Sequence, residues 1–480
     1  MSASVIIRLT IYSFAGLILV GSAGLTMSFF LGFRPDIGNI ERREPIDRNR
    51  AARVFVPVEG TITPGPGIAS PISATWSQFR GDNSDAISTE TLALRRDWTN
   101  DNPPPTLWEL PLGEGYAGFA VANGCVYIMD YDEENQRDAL RCLSLDDGRE
   151  IWRLSYPIAI KRNHGMSRTI PAVTEQYCAA IGPKCHAMSV CALTGEKKWL
   201  IDMRYVYGTI EPDWYAGQCP LIAVLPGRDR PSVILAPVGP EVLMVALDCE
   251  TGDEVWQTPN LFYWNMTHTS IVPMMLEDQL TFVYFGDDGL VGVRAEDGAI
   301  LWSLTGWPTA LATCPSPLIL SAGPDDLGRI FFAGGYNRGS AMIQIVSTPQ
   351  GQYEARMLFQ LEHPVFDSEQ QTPIYYDGHI FGLRQRDKRF ICLDVHGNVV
   401  WESSRRDRFG SGPYIVADGM ILIVDDEGVL SGIRATPSGF HRYFEVEIMD
   451  DYACWAPMAI VQGRLLLRDQ MSMKCIDLRE

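Results

Sequence analysis

The sequence predicts an all-β protein, an eight-bladed β-propeller that follows an N-terminal transmembrane helix. Three observations support this prediction: a repeated glycine–tryptophan pattern, a series of strands that open on proline, and a long uncharged segment near the start of the chain. The 480 residues include 43 glycines and 31 prolines, which suits many short strands joined by turns. Past residue 34, no segment sustains the apolar period of a helix.

The repeated pattern places a glycine four residues ahead of a tryptophan. In each copy an apolar strand ends in a tight turn at the glycine, and the next strand carries the tryptophan. Glycine supplies the positive φ that a tight antiparallel hairpin needs, and the large indole can fill a seam between neighbouring sheets. The five copies are Gly148/Trp152, Gly195/Trp199, Gly252/Trp256, Gly298/Trp302 and Gly397/Trp401.

The spacing of the copies indicates propeller blades. The first four tryptophans are 47 (152 to 199), 57 (199 to 256) and 46 (256 to 302) residues apart, as expected for blades of four short strands. Two further units lack the tryptophan, and their outer strands are expected around Phe359 and Phe444. Gly118 opens one inner strand and prolines open seven more, so we expect eight blades. These prolines are Pro171, Pro220, Pro273, Pro317, Pro373, Pro413 and Pro457.

The end of the chain indicates how the ring closes. The last unit stops at Leu478, before any outer strand. Residues 105–112, around Trp108, have a strand pattern and could pair with the exposed edge of the last blade. The predicted propeller therefore spans residues 76–480. We expect the aromatic side chains of residues 75–88 to lie against its outside.

The N-terminal region is predicted to anchor the protein in a membrane. Residues 9–33 carry no charge and are long enough to span a bilayer. A cleavable signal peptide is the alternative, with a small-residue site at 21–23, but the apolar segment continues well past it. We expect residues 1–33 to form a signal-anchor. Residues 34–75, charged and then rich in proline and glycine, should form a flexible linker.

The side of the membrane follows less directly from the sequence. Arg8 is the only basic side chain before the span, whereas Arg34, Arg42 and Arg43 follow it, which favours a cytoplasmic propeller. Large domains, however, cross membranes largely regardless of charge. We expect a single-pass membrane protein with an extracytoplasmic, periplasmic propeller.

Composition limits the classes of partner and cofactor. The net charge of −19 argues against binding to nucleic acid. The eleven cysteines include no CxxC motif and no adjacent pair, so neither a zinc ribbon nor covalent haem is indicated. Several recur in the same strand of different blades, as small buried apolar residues would. A cysteine-rich core without evident pairing fits a strongly oxidising compartment poorly.

One segment resembles a known repeat. Residues 246–256, ALDCETGDEVW, resemble the tryptophan-docking repeat of the pyrroloquinoline-quinone (PQQ) β-propeller superfamily. With the WSQFRG segment at residues 76–81, the chain is similar over residues 75–480 to membrane-anchored PQQ-like propellers of planctomycete-type bacteria. That superfamily includes quinoprotein dehydrogenases and non-catalytic proteins such as an outer-membrane-protein assembly lipoprotein.

The resemblance implies two alternative functions. A dehydrogenase of this superfamily holds PQQ between a tryptophan and a vicinal disulfide, binds Ca²⁺ through Glu and Asn, and uses an Asp as base. This sequence has no adjacent cysteines, and no matching set of acids stands out. It also lacks a lipid-attachment cysteine after its apolar segment, because the first cysteine is Cys125. We expect a non-catalytic binding or scaffold module without a cofactor, for a protein or glycan of the cell envelope. The alternative is a PQQ-dependent oxidoreductase with PQQ and Ca²⁺.

The candidate binding residues lie in the loops that lead into the innermost strands. These loops should converge at one mouth of the central channel and are rich in aromatic and polar residues. The alternatives are that the tryptophans pack loops together and that the arginines pair with acids such as Asp213 or Asp451. Without partners at metal-ligand spacing, the histidines predict no metal site. The candidates are His164, Arg168, Trp214, Tyr215, Gln218, Trp264, His268, Gln370, Gln371, Arg408 and Trp455.

Overall fold

The computed structural model describes residues 58–163, 165–308, 311–320, 327–450 and 452–479. Over these ranges the chain forms eight antiparallel sheets, which confirms the predicted eight-bladed β-propeller. Seven sheets contain four strands and one contains five. The predicted transmembrane segment, residues 1–33, lies outside the described ranges. Within them, no helix is long and apolar enough to cross a bilayer.

Two strands, β1 (Thr61–Pro64) and β2 (Thr106–Pro111), precede the first blade. In blades 1 to 7 the chain order of the strands runs from the innermost strand outwards. Blade 1 consists of β3 (Ala120–Ala122), β4 (Cys125–Asp132), β5 (Arg137–Ser144) and β6 (Glu150–Pro157). Blade 2 consists of β7 (Ala172–Val173), β8 (Tyr177–Ile181), β9 (His186–Cys191) and β10 (Lys197–Asp202), followed by a short helix, α1 (Met203–Val206). Blade 3 consists of β11 (Leu221–Val224), β12 (Pro231–Leu235), β13 (Val242–Asp248) and β14 (Glu254–Pro259).

Blades 4 to 7 repeat this order. Blade 4 consists of β15 (Val272–Leu276), β16 (Gln279–Phe285), β17 (Gly289–Arg294) and β18 (Ile300–Thr305). Blade 5 consists of β19 (Leu318–Leu320), β20 (Arg329–Gly334), β21 (Gly339–Ser347) and β22 (Tyr353–Leu361). Blade 6 consists of β23 (Ile374–Tyr376), β24 (His379–Arg384), β25 (Arg389–Leu393) and β26 (Val399–Glu402). Blade 7 consists of β27 (Tyr414–Ala417), β28 (Met420–Val424), β29 (Val429–Arg434) and β30 (Arg442–Glu447).

Blade 8 joins the two ends of the propeller. It consists of β31 (Ala459–Val461), β32 (Arg464–Arg468), β33 (Ser472–Asp477) and, as its outermost strand, β2. The pairing of β2 with β33 is antiparallel and runs from Thr106 opposite Ile476 to Pro111 opposite Ser472. Strand β2 lies inside the segment expected to close the ring. Because its backbone hydrogen bonds link the start of the propeller to its end, blade 8 has no missing strand.

The tryptophans of the repeat lie in the seams between blades. Trp152 on β6 covers the turn of blade 2, where a Cβ atom on Gly195 would stand 2.6 Å from the indole ring. Its Nε1 donates to the Ala192 carbonyl oxygen at 3.1 Å. Gly195 also has a φ of +71°, so both its conformation and its lack of space favour glycine. The same contact joins Trp108 to Gly148, Trp199 to Gly252 and Trp256 to Gly298.

The two degenerate units form blades 5 and 7, with outer strands β22 and β30 as predicted. Phe359 on β22 takes the place of the tryptophan, because a Cβ atom on Gly397 would meet its ring at 2.7 Å. Trp302 is buried, but the space around Gly351 in the next blade is open. Within the described residues, the Trp302 Nε1 has no hydrogen-bond partner. The seam between blades 4 and 5 therefore lacks the contact found in the regular seams.

The predicted flexible linker, residues 34–75, needs correction over its last part. Strand β1 pairs antiparallel with β6 and covers the outer edge of blade 1. Gly65 follows β1 so closely that a Cβ atom there would stand 2.0 Å from the Glu150 carbonyl oxygen. The backbone N–H of Gly65 donates to the Ile151 carbonyl at 2.8 Å. The segment from β1 onward is thus held on the propeller by backbone contacts.

The prediction that the aromatic side chains of residues 75–88 lie against the outside of the propeller is wrong. Residues 76–88 instead close the channel. Trp76 exchanges two backbone hydrogen bonds with Val121 of β3, at 2.9 and 2.8 Å. Ser77 accepts a hydrogen bond from the backbone N–H of Val173 on β7, and Ala86 accepts one from Val416 on β27. The segment therefore bonds to the innermost strands of blades 1, 2 and 7. We call residues 76–88 the plug.

A buried arginine fixes the plug to a further blade. The Arg80 guanidinium donates to the Thr372 carbonyl at 2.7 Å and to the Pro373 carbonyl at 2.8 Å, directly before β23. It also donates to the Ser84 and Asp85 carbonyls within the plug. Carbonyl oxygens take the place of water around the buried charge, which offsets part of the energy needed to bury it. Burial nevertheless lowers the pKa of Arg80 to about 10.

Candidate functional site

The innermost strands of all eight blades begin at the same end of the channel. We call this end the mouth; it is formed by the eight loops that precede β3, β7, β11, β15, β19, β23, β27 and β31. Below the mouth lies a cavity of about 340 Å³. Its aromatic lining consists of Phe79, Tyr116, Trp214, Tyr336 and Trp455, and its polar side chains include Arg168, His268, Ser270, Cys314, Gln370 and Gln371.

Six of the eleven predicted residues line this cavity. They come from five different loops, which the propeller brings together across sequence separations of up to almost 300 residues. One predicted residue, His164, lies outside the described residues. The six are Arg168, Trp214, His268, Gln370, Gln371 and Trp455.

Two of the predicted residues are used inside the protein instead. Gln218 is fully buried, and its side-chain amide donates to the Ala236 carbonyl at 3.1 Å and accepts from the Ala236 N–H at 2.9 Å. This pair of hydrogen bonds continues the pattern of a β-ladder, so Gln218 holds its loop onto blade 3. Tyr215 is also buried, and its hydroxyl donates to the Lys161 carbonyl. It therefore joins the loop of blade 3 to that of blade 2.

Two more predicted residues lie away from the cavity. Trp264 is buried over the hairpin between β16 and β17, where a Cβ atom on Gly286 would stand 2.3 Å from its ring. Its ring also stacks on Phe262, with centroids 4.4 Å apart. Arg408 is exposed, and its backbone bridges to Arg389 on the third strand of blade 6. Trp264 is thus a packing residue, as the alternative held. Arg408 is not among the residues that line the cavity.

The sequence interpretation missed three aromatic lining residues. Tyr116 precedes β3, and the eighth strand start at Gly118 could have identified its loop, although no proline marks it. Phe79 belongs to the plug and forms part of both the cavity and the packed space below it. Tyr336 lies in the hairpin between β20 and β21 with a φ of +57°. No repeat signal points to Phe79 or Tyr336, because both reach the cavity only through the tertiary fold.

Arg168 and His268 set the charge of the cavity. The Arg168 guanidinium lies 5.4 Å from the Tyr116 ring centroid, and its Nη2 donates to the Asn163 carbonyl at 3.2 Å. Burial, together with the nearby positive charge of Arg168, lowers the pKa of His268 to about 4. His268 is therefore neutral at pH 7. Among the described lining residues, Arg168 is the only side chain with a formal charge, and it is positive.

The two tryptophans of the cavity are held differently from those of the seams. Trp214 and Tyr215 have φ values of +62° and +73° in succession, a conformation that disfavours non-glycine residues by about 1–3 kcal/mol each. Trp455 stacks on Tyr116 with centroids 5.2 Å apart, and its Nε1 donates to Asp426 Oδ1 at 2.6 Å. Both indoles are partly exposed and form part of the cavity wall. Backbone strain and a charged acceptor thus fix their orientation.

The described lining does not fit the calcium-bound quinone of the superfamily's dehydrogenases. Ca²⁺ takes six to eight oxygen ligands, usually including carboxylates, yet neither Asp nor Glu occurs among the described lining residues. The two cysteines of the lining, Cys219 and Cys314, are free thiols and are not adjacent in the chain. Across the part of the chain that the structure describes, no cluster of three or more His, Cys, Asp or Glu could hold a metal.

Comparisons with known proteins identify the repeat and the fold. A family model described as outer membrane protein assembly factor BamB matches residues 226–335. None of the curated proteins matches the sequence. BamB from Moraxella catarrhalis superposes with a TM-score of 0.50 and 12% identity, over 78% of this chain and 97% of that chain.

Two quinohemoprotein alcohol dehydrogenases have the same fold. ADHIIG from Pseudomonas putida HK5 superposes with a TM-score of 0.58 and 13% identity, over 84% of this chain and 80% of that chain. The enzyme from Comamonas testosteroni superposes with a TM-score of 0.56 and 11% identity, over 85% and 81%. At such low identity these superpositions show the fold alone. They do not decide between an assembly factor and a dehydrogenase.

The segment that matches the family model contains part of the glycine–tryptophan repeat. The matched segment contains the Gly252/Trp256 and Gly298/Trp302 copies of the repeat. Gly252, Trp256 and Gly298 take part in the predicted seam contacts, whereas Trp302 does not. The expected planctomycete-type origin stays a prediction. The chain is an eight-bladed β-propeller, and its residues 226–335 match the family model of the outer membrane protein assembly factor BamB.

Proposed function

We propose that the protein is a non-catalytic binding module, tethered to a membrane by its N-terminal segment, that docks a protein partner on the mouth. The observation that carries this proposal is a rigid mouth loop that exposes two apolar side chains. Leu261 is 66% exposed and Tyr263 is 86% exposed, in the loop that also supplies His268 to the cavity. Other mouth loops expose Tyr205, Ile210, Leu311 and Tyr452.

The loop is held in place by the residues around the two exposed side chains. The Asn260 amide donates to the Gly239 and Trp264 carbonyls, both at 2.9 Å, and accepts from the Trp264 N–H at 3.2 Å. Phe262 and Trp264 stack on each other beneath the loop. Tyr263 itself has a φ of +58°. The structure of the loop thus directs Tyr263 outward at the expense of local backbone strain.

Such an arrangement favours a protein partner over a small ligand. A small molecule in the cavity would not need Leu261 or Tyr263, which point into solvent. Tyrosines in rigid, exposed loops contribute strongly to protein interfaces because little side-chain freedom is lost on binding. Asp287 accepts hydrogen bonds from Asn265 of this loop, and the exposed Glu241 bonds to Asn260 through its backbone carbonyl. We therefore expect basic groups around the apolar pocket of the partner.

The proposed location is the cell envelope. An uncharged segment at residues 9–33 supports a membrane anchor, and the match to an outer membrane assembly factor supports a role in envelope assembly. A glycan partner is the competing outcome, because aromatic walls also suit sugars. The PQQ-dependent oxidoreductase has weaker support, because the described cavity offers no carboxylate for Ca²⁺.

The test is site-specific photo-cross-linking of the full chain in cells. A photoreactive phenylalanine replaces Tyr263, and in the control it replaces Val224, which is 60% exposed at the opposite end of blade 3. We expect a protein adduct at 263 and none at 224. For the purified adduct partner, Tyr263→Ala should weaken the Kd about 30-fold, roughly 2 kcal/mol, whereas Val224→Ala should leave it unchanged.

The alternatives give different results. A carbohydrate adduct at position 263 would show that the partner is a glycan and not a protein. Purified full chain supplied with PQQ and CaCl2 should show no alcohol-dependent dye reduction, and robust turnover would overturn the non-catalytic proposal.

A further inference from the structure

We infer that the mouth cavity takes a flat apolar group that carries a carboxylate, and that Arg168 binds this carboxylate. The inference rests on the proposed function of the mouth as a binding site, and it names the chemistry of what enters. It follows from the charge of the cavity, the arrangement of its aromatic walls and the closure of its lower end.

The charge of the cavity is opposite to that of the whole chain. The protein has a net charge of −19, but Arg168 is the only formally charged side chain in the described lining, which holds no carboxylate. The nearest acids lie behind the lining: Asp426 accepts a hydrogen bond from Trp455 Nε1, and Asp213 acts on His268. Among the charged side chains, an anion inside the described cavity would therefore contact only Arg168.

The guanidinium suits a carboxylate in particular. Its Nη2 donates to the Asn163 and Gly165 carbonyls at 3.2 and 3.4 Å, which fixes its plane at the cavity wall. A guanidinium has five N–H donors in a planar fork that matches the two oxygens of a carboxylate. Burial lowers the pKa of Arg168. Because its charged form is partly desolvated, an incoming anion is more favourable there than at an exposed arginine.

The aromatic walls define the rest of the ligand. Tyr116 lies beneath the guanidinium and stacks on Trp455 at 20°. Trp214 is also part of the wall, and Phe79 of the plug contributes to the lining. A flat apolar group would contact ring faces on more than one side. A neutral sugar would make no use of the Arg168 charge, and a cation would be repelled by it.

The closed lower end restricts the ligand to an end group. The plug bonds to the innermost strands of blades 1, 2 and 7 and, through Arg80, to the start of blade 6. A chain therefore cannot pass through the channel without displacing these hydrogen bonds. The group that binds must be the terminus or a side chain of a partner, or a free small acid.

The experiment titrates purified full chain in detergent with two probes of matched shape. These are 3-phenylpropionate, an anion, and 3-phenylpropanamide, its neutral analogue, with tryptophan fluorescence and calorimetry as readouts. We expect the acid to bind at least 10-fold more tightly than the amide. Arg168→Gln should reduce this preference below 2-fold, whereas Arg168→Lys should keep part of it. The matched control is Arg408→Gln, at an exposed arginine outside the cavity, which should behave as the native protein.

A second pair of probes distinguishes the source of the carboxylate. The tripeptide Gly-Gly-Phe with a free terminus should bind at least as tightly as phenylpropionate, and its C-terminal amide should bind weakly. A free acid that binds far more tightly than the peptide would assign the site to a small molecule and overturn the peptide source.

The outcomes separate this inference from the proposed function. Equal binding of acid and amide, or a preference that survives in Arg168→Gln, overturns the inference even if a partner docks through Tyr263. An Arg168-dependent preference supports it even if no partner is cross-linked at 263. The thermal midpoint of each variant shows that the cavity remains folded.

Discussion

Tryptophan serves two regions of this molecule in opposite ways. In the seams, Trp152 is 2% exposed, covers a glycine and donates its indole N–H to a backbone carbonyl of the next blade. At the mouth, Trp214 and Trp455 leave part of their rings at the surface of a cavity. The same side chain thus completes the framework in one place and offers a contact surface in the other.

Arginine shows the same contrast. Arg80 is buried in the plug, and its guanidinium donates to four backbone carbonyls. Arg168 is also bonded to its own loop, but its guanidinium forms part of the cavity wall. The framework satisfies its polar groups within the chain, whereas the mouth keeps charge and aromatic area accessible. Function is therefore to be sought where the repeat ends and the loops begin.

The largest expected difference between the two regions is in stability. Trp152→Ala removes a buried ring from the seam and should lower the free energy of unfolding by about 3–5 kcal/mol. Trp214→Ala trims a partly exposed side chain and should change it by less than about 1 kcal/mol. Thermal unfolding of the full chain, followed by near-UV circular dichroism, measures both. Similar losses for the two variants would mean that Trp214 is a framework residue.

The seams were predictable from sequence because their determinants are local. Glycine and tryptophan stand four residues apart on one hairpin, and the repeat places each hairpin against the preceding blade. Eight strand starts then gave the number of blades. The plug has no such signal: Arg80 bonds to a carbonyl 292 residues away in sequence. Nothing within WSQFRG indicates that such an acceptor exists.

The mouth was predictable only in part. Loop position identified Arg168, Trp214, His268 and Trp455, because the propeller topology brings those loops together. Loop position could not predict that Trp214 lines the cavity whereas Trp264 is a packing residue. This difference depends on the space that Gly286 leaves for the Trp264 ring in a neighbouring hairpin. Aromatic composition indicates that the side chains of a loop form contacts. Whether these contacts are packing within the protein or contacts with a ligand depends on the surrounding backbone.

A glycine substitution tests whether the seam depends on the ring contact as well as on backbone conformation. Gly195→Ala places a Cβ atom 2.6 Å from the Trp152 ring at a φ of +71°, and should lower stability by about 2–4 kcal/mol. Gly351→Ala is the matched control, because φ is +74° but its surroundings are open. For Gly351→Ala we expect the free energy of unfolding to fall by about 1 kcal/mol, from backbone conformation alone. Equal thermal midpoints for the two variants would show that the ring contact adds nothing to the seam.

A buried acid in the seam between blades 1 and 2 should make the framework sensitive to pH. Asp138 is fully buried and accepts a hydrogen bond from the Tyr156 hydroxyl at 2.5 Å. Gly182 of blade 2 covers the pair, since a Cβ atom there would stand 2.5 Å from Asp138 Oδ2. Burial, together with the nearby Asp130, raises the pKa of Asp138 from 3.8 to about 7, although the hydrogen bond from Tyr156 acts to lower it.

The sign of the pH effect follows from proton binding. Between about pH 4 and 7 the folded state holds a proton on Asp138 that the unfolded state has lost, so stability falls as the pH rises through this window. Asp138→Asn keeps a neutral side chain at every pH and should be more stable than the native chain by about 1–2 kcal/mol at pH 8. At pH 4 this advantage should be absent. Thermal midpoints of both proteins at the two pH values give the comparison, and a difference that does not change with pH would contradict the raised pKa. Binding of 3-phenylpropionate at pH 8 should be the same in both, because Asp138 is not among the residues that line the mouth cavity.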